Sequence, residues 1–304
     1  MNCPICHSNE IKVVMQTYDD RYGYPGKFVL LQCCKCHHSF LDCELSSMQL
    51  TDLYTNYYPR KDLDIESYKS HCEVLGFSAW FNGLKSAAFR WVPKNVRVLD
   101  IGCGFGQSLG YHTERGCDVY GVEADENISR IVDKFNFKVN VGLFDDRNYE
   151  TNFFDYVTLD QVIEHMTEPS LTLKGVARIL KQDGTVILTT PNANGWGARI
   201  FRRRWINWHS PYHLHFFSLE SFSWAANEAG FRVERVNTIT NSEWLFYQWI
   251  HIMFFPKQGD SSCFWSANSI RNNFFKKICI KIVFLIHKAK INHLITRFFD
   301  FLIF

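Results

Sequence analysis

Val98-Leu99-Asp100-Ile101-Gly102-Cys103-Gly104-Phe105-Gly106 is the stretch that decides the fold. A β-branched and leucine run from Val96 ends in glycines, and helix-like sequence follows from Gln107 to Arg115. A strand that breaks on a glycine loop and opens a helix is the first turn of a nucleotide-type α/β unit. The rhythm continues outward. Strands are predicted over Cys117–Glu123, Phe137–Val141, Phe154–Leu159 and Thr185–Thr190. Helices are predicted over Asn127–Phe135, Leu171–Leu180 and Leu219–Ala229, with Gly230 as the last C-cap. Strand and helix in alternation mean a parallel sheet with helices on both faces.

The loop also selects its ligand. A dinucleotide site wants a third glycine where Gln107 stands, and Asp100 would repel a pyrophosphate. S-adenosylmethionine (SAM) has no phosphate and carries a sulfonium and an ammonium, so an acid there favours it. Glu123 ends the next strand, 23 residues after Asp100, where an acid can accept from both ribose hydroxyls. The strand Phe154–Leu159 runs into Asp160-Gln161-Val162-Ile163-Glu164-His165 at the carboxyl edge of the sheet, where ligands bind in such folds. Asp155, at the start of that strand, reads as a capping or pairing residue.

"VLDIGCGFG", the acid after "VYGV", "FDYVTLDQVIEHMTEP", "GTVILTTPN" and "HLHFFSLESF…AGF" together resemble the class I SAM-dependent methyltransferases over residues 95–235. The resemblance implies a Rossmann-like sheet of seven strands, mostly parallel, with one antiparallel strand near the end. It implies SAM contacts from Asp100, Gly102, Gly104, Gly106 and Glu123. It puts Phe144 or Asp145 beside adenine, Asp145 being preferred as acceptor for the amino group, and Asp160 and Gln161 near the methionine end.

Five of the eleven cysteines fall within the first 36 residues. Cys3-Pro4-Ile5-Cys6 and Cys33-Cys34-Lys35-Cys36 are two CxxC pairs, and four thiolates on two tight turns make a tetrahedral zinc site. Cys3, Cys6, Cys33 and Cys36 are the expected ligands. The site should be structural, because no position is left open. His7, His37 and His38 read as surface residues. No basic and apolar leader is visible at Met1, so the clustered thiols point to a reducing, cytoplasmic compartment.

Methyl transfer to a hydroxyl is helped by a general base. His165, His209, His213 and His215 are candidates. "HLHFFS" looks like the "HLxxFS" run of methyltransferases in bacterial glycan and nucleotide-sugar pathways, many of which carry an N-terminal CxxC…CxxC module and a tyrosine-rich linker, here Tyr57-Tyr58. In that subfamily His213 takes the histidine position, so it is the first choice as base. His165 belongs to the "EH" pair that holds the cofactor loop or moves protons. His209 and His215 read as aromatic-cluster residues. Related sugar C-methyltransferases carry Tyr-x-Glu-His where this chain has Ser210-Pro211-Tyr212-His213, which moves the expectation toward oxygen. No adenine- or cytosine-amino tetrad follows the fourth strand. Arg199, Arg202, Arg203 and Arg204 precede His213 and suit either a pyrophosphate grip or a solvated basic face.

Four regions result: a zinc ribbon at 1–45, a linker with a helical segment at 46–92, the methyltransferase domain at 93–240, and a hydrophobic basic helical tail at 241–304. In the tail, Trp244–Phe255 is free of charge. Lys277, Lys281 and Lys288 fall on one helical stripe beside Ile278, Ile282 and Leu285, the pattern of a helix lying in a bilayer interface, packing on the core or packing on a partner subunit. No run reaches the length of a spanning helix. The expected acceptor is a sugar, nucleotide sugar or lipid-linked glycan, with peripheral contact at the inner face of the cytoplasmic membrane. Two rivals are weighed: an rRNA or tRNA methyltransferase docked through the ribbon, and a catalytically dead SAM-fold scaffold. A net charge of +2 with 31 acids against 33 bases speaks against a nucleic-acid reader. Intact Asp100 and Glu123 speak against the scaffold.

Overall fold

The structure, a computed structural model, describes residues 1–43, 45–58, 65–265 and 274–302. Phe304 at the end of the tail, and Glu44 of the ribbon, lie outside them, as does the side chain of Lys276.

The chain begins with three antiparallel strands, β1 (Ile11–Thr17), β2 (Phe28–Cys33) and β3 (Ser39–Asp42). After α1 (Ser47–Asp52) and α2 (Gly76–Asn82) comes the parallel core. Its strands are β4 (Arg97–Ile101), β5 (Asp118–Glu123), β6 (Lys138–Val141), β7 (Phe154–Asp160) and β8 (Leu180–Thr189). They lie in the order β6-β5-β4-β7-β8, every pair parallel. The helices α3 (Gln107–Thr113), α4 (Ser129–Phe135) and α5 (Pro169–Ile179) make the crossovers. Val98, Leu99, Val157 and Leu159 are fully buried, as strands covered on both faces require.

Five strands stand where seven were expected. Beyond β8 the chain enters α6 (Trp196–Phe201) instead of another crossover, and α7 (Leu219–Glu228) is followed by residues 231–240 with no regular structure. There Arg232, Val233, Glu234, Arg235 and Val236 are all exposed. A segment with neither face buried has nothing to fix a register against a sheet edge. The Ser218 side chain accepts from Ser221 N, and Ser221 answers it, which sets the start of α7.

The N-terminal strands are not a free appendage. A two-residue strand, β9 (His215–Phe216), pairs antiparallel with β3, Ser39 opposite Phe216 and Phe40 opposite His215. Leu41 N donates to Leu214 O at 2.9 Å, and Ser170 Oγ donates to Pro4 O at 3.0 Å. Cys3, Ile5, Cys33 and Cys36 thereby share one core with Leu99, Leu159 and Phe217.

Among the described residues the tail forms three helices, α8 (Ser242–Met253), α9 (Phe274–Lys288) and α10 (Ile291–Leu302). The aromatic run of α8 turns inward. Leu245, Ile250 and Phe254 are buried, and Gln248 caps the chain by accepting from Ile206 N at 2.8 Å and donating to Arg204 O at 2.8 Å. No helix among the described residues is long and apolar enough to cross a membrane.

Candidate functional site: a donor crevice and a histidine cluster

The order of the parallel strands reverses between β4 and β7, so a crevice opens at their carboxyl ends. The loop after β4 lines it. Gly102, Gly104 and Gly106 all have positive φ, at 73°, 54° and 73°. A Cβ on Gly102 would strike the side chain of Val162, while one on Gly104 meets open space. The first glycine therefore lets the two loops touch, and the second borders the crevice.

Asp100 is buried at the end of β4 and accepts hydrogen bonds from Ser108 Oγ and, at 2.6 Å, from Thr158 Oγ1. Burial raises its carboxyl to about 6 against the pull of those two hydroxyls. Glu123 accepts from Gly104 N at 2.8 Å and from Asp125 N at 2.9 Å. Two carboxylates thus flank the glycine loop, and among the described residues no cationic side chain is bound to either one. That donor set fits a cationic ligand and opposes a pyrophosphate. The Asp145 side chain accepts from Arg147 N at 3.0 Å and also pairs with the Arg147 guanidinium, which draws its carboxyl down to about 2. Asp160 accepts from Thr189 Oγ1, and Gln161, in the left-handed region at φ 58°, donates to the same hydroxyl at 3.3 Å. Asp155 is structural, accepting from Arg97 N at 2.7 Å and pairing with Lys181 at 2.6 Å.

A second group lies beyond Asp160, where the chain turns through Ile163–His165. His165 and His213 meet edge to face with ring centroids 4.6 Å apart. His165 Nδ1 bonds the Tyr212 carbonyl at 2.8 Å, and His213 Nδ1 bonds the Asn207 carbonyl at 2.9 Å. Each ring must donate there, which leaves each Nε2 with its lone pair. Burial pulls both imidazoles below the usual histidine range, and the charge of Arg21 from the ribbon pushes the same way. Glu164 is buried next to them, and burial lifts its carboxyl to about 8. Tyr22, Tyr54 and Tyr58 pack on Tyr212 with ring centroids 5.4–5.7 Å away, and the group reaches the histidines through His209, which meets both Tyr22 and His213. His209 stacks on Tyr212 at 4.7 Å and His215 lies 3.1 Å from His38, so both are cluster residues as their sequence context suggested.

Sequence reasoning named His165 and His213 but passed over Glu164 as a chemical group and missed Arg21 and Tyr22 entirely. Only the Glu-His pair carried a signal; the ribbon residues reach the site through tertiary packing. His38 is a correction. It is fully buried against His215 and Phe217, because β9 covers the edge of β3 that the sequence left open.

The four ribbon sulfurs lie within 4.8 Å of one another. Cys3–Cys36 and Cys6–Cys33 are each separated by 3.5 Å, too far for a disulfide and close to the about 3.8 Å edge of a zinc–thiolate tetrahedron. Two matching turns present them. His7 N returns to Cys3 O and His37 N to Cys33 O, with φ of 58° and 57° at the two histidines. The set is compatible with zinc.

Fold and crevice together define a SAM-type α/β unit. The methyltransferase domain family matches residues 76–236, and the chain belongs to it. Those residues form a SAM-dependent methyltransferase domain. Among curated relatives, the chain is similar to a glycine/sarcosine/dimethylglycine N-methyltransferase of Actinopolyspora halophila, 24% identical over 49% of this chain and 28% of the relative. It is also similar to a ubiquinone biosynthesis O-methyltransferase of Dechloromonas aromatica, 29% identical over 34% of this chain and 50% of the relative. The chain thus spans half or less of the length of these relatives. Among solved structures, a methyltransferase bound to the Haloferax volcanii Trm112 activator aligns with a TM-score of 0.45 at 22% identity, covering 54% of this chain and 74% of that one. A Haemonchus contortus phosphoethanolamine-type N-methyltransferase, in complex with S-adenosylhomocysteine, gives 0.45 at 22%, covering 73% and 50%.

Proposed function

We propose that this protein transfers the methyl group of SAM to a hydroxyl of a sugar or saccharide. The observation that carries the reading is the His165–His213 pair, tautomers fixed and Nε2 lone pairs kept, set among Tyr22, Tyr54, Tyr58 and Tyr212. Aromatic rings with hydroxyl tips suit an acceptor that is part apolar face, part hydroxyl. Asp100 and Glu123 hold the donor, with Asp160 and Gln161 at its methionine end and Asp145 toward adenine. The reaction is an in-line displacement: an acceptor O–C bond forms, the C–S bond breaks, and its electron pair neutralises the sulfonium. The acceptor proton goes to His213 Nε2, with His165 packed against the ring to hold it. Positioning supplies most of the rate, and the base adds about 10²–10⁴-fold. Exposed Arg199, Arg202, Arg203 and Arg204 are placed to meet an acceptor's phosphate.

Zinc in Cys3, Cys6, Cys33 and Cys36 would hold the two turns that feed β1 and β3. A ribbon buried into the shared core at these cysteines, with its sheet edge taken by β9, offers little surface to RNA. Incubation with labelled SAM tests the acceptor: label should enter a nucleotide-sugar or glycan pool, and transfer into total RNA instead would refute the reading. Metal analysis should find one zinc per chain, lost in Cys3→Ser.

Peripheral membrane contact is part of the same reading, supported by an inverted helix. In α10, Asn292, His293, Thr296 and Arg297 are buried while Leu294, Phe298 and Phe301 are 61%, 59% and 83% exposed. Arg297 and Asp300 pair and bind Thr240, so the polar face is the one spent on the core. On α9, Ile282 and Leu285 are exposed as well, together with Lys277, Lys281 and Lys288. An anionic bilayer surface matches apolar area with flanking lysines. Removing the tail would uncover Trp196 and Ile206, so substitution is the cleaner test. Phe298→Glu with Phe301→Glu should abolish flotation with phosphatidylglycerol vesicles; equal flotation would refute the contact.

A further inference from the structure

Glu164, His165 and His213 carry an unexplained feature. Their side-chain ligand atoms all lie within 4.8 Å of one another. Each side chain is steadied by its other polar atom. His165 Nδ1 is held on Tyr212 O at 2.8 Å, His213 Nδ1 on Asn207 O at 2.9 Å, and Glu164 Oε2 accepts from Thr190 Oγ1 at 3.1 Å. Ring N–H groups anchored on carbonyls, which leave each Nε2 lone pair for a ligand, are the outer support that ligating histidines require. Glu164 is fully buried, and its Oε1 has no hydrogen-bond partner among the described residues. An unpaired polar atom in such a place is destabilising, and a bound cation gives it a partner.

We propose that Glu164, His165 and His213 bind one divalent first-row transition ion through two imidazole Nε2 atoms and one carboxylate oxygen. The nitrogen and oxygen donors set this site apart from the thiolate ribbon, which selects a softer ion. Arg21, steadied by its bond to Ile206 O, is the cation whose field reaches the histidines. Ligation uses the neutral rings, whose Nδ1–H groups are already committed to backbone carbonyls.

This inference rests on the reading that the cluster faces the acceptor, and it changes how the histidines act there. Three protein ligands leave coordination positions open, and the acceptor hydroxyl takes one. The ion lowers the hydroxyl's pKa. Its proton then leaves to water, and the oxygen attacks the methyl carbon as before, with the C–S electron pair retained by sulfur.

The test uses full-length protein with zinc in the ribbon, titrated with Mn²⁺ while the free-ion paramagnetic resonance signal is followed. One Mn²⁺ per chain should be taken up, with no zinc displaced. Glu164→Gln and His213→Ala should each abolish uptake while SAM binding persists. Thr190→Val, which removes only the support of the carboxylate, should weaken uptake by about 10-fold or more and covers the case in which the first two variants fail to fold. No uptake by the wild-type chain, or undiminished uptake in all three variants, overturns the proposal. Failure of label to reach a saccharide would sink the acceptor reading alone, since Mn²⁺ uptake is read without any acceptor.

Discussion

The donor crevice and the histidine cluster stand at the same edge of one sheet, yet they are built on opposite terms. In the crevice the acids are already satisfied: Asp100 by Ser108 and Thr158, Glu123 by two backbone amides. Their partners lie within one strand–loop–helix or on adjacent strands. In the cluster, Glu164 Oε1 and His209 Nε2 are buried with no partner among the described residues, and the groups come from the loop after β7, the segment before β9, and the ribbon. A satisfied site is preorganised for one ligand. A site with open valences is waiting for something to complete it.

The contrast makes separable demands on experiment. The largest effect should come from the cluster: His213→Gln is expected to lower turnover by about 100-fold or more with SAM affinity intact, measured by initial rates and calorimetry. Unchanged turnover would remove the cluster from the chemistry. Next is the crevice: Glu123→Ala should weaken SAM binding by about 10- to 100-fold, the worth of hydrogen bonds to a charged group. A loss of turnover without loss of binding would erase the distinction between the two sites.

The pH dependence of SAM binding is a smaller effect. Asp100 is raised to about 6, so it takes up its proton as pH falls through that value and then no longer attracts a cation. SAM affinity should decline below about pH 6, by at most about tenfold per pH unit, and the decline should flatten in Asp100→Asn. Because this acid is raised on folding, its contribution to stability runs the other way: it is full below about 3.8 and is lost as pH rises toward about 6. The smallest effect is expected on α10, where Phe298→Ser should change unfolding free energy by under about 0.5 kcal/mol, since the ring is 59% exposed. A large loss there would mean that the apolar face of α10 is covered.

Much of the core was legible in the residues because its signals are local. The strand from Val96 was predicted to end at Ile101 and does, and the helix at Gln107 begins where Gly106 takes a positive φ. The Asp100–Glu123 pair follows from two adjacent strand ends. The strand count was not legible. Whether a β-branched segment such as 231–240 joins a sheet depends on an edge being free and on a face being buried, and neither is written in the segment itself. The placement of the tail was not legible for a similar reason: the charge-free run in α8 buries Leu245, Ile250 and Phe254, while the apolar face of α10 lies outside.

The amino-acid sequence by itself determined the donor crevice and the two cysteine turns, because glycine loops, strand-end acids and CxxC spacings act over a few residues. Tertiary structure alone decided that the ribbon is stitched to the methyltransferase domain through β3 and β9 and that the charge of Arg21 reaches His165 and His213. It also left Glu164 buried without a full set of partners. The physical reason is that burial and electrostatic neighbourhood belong to a place in space, and residues 21, 164 and 213 share that place only once the chain has folded.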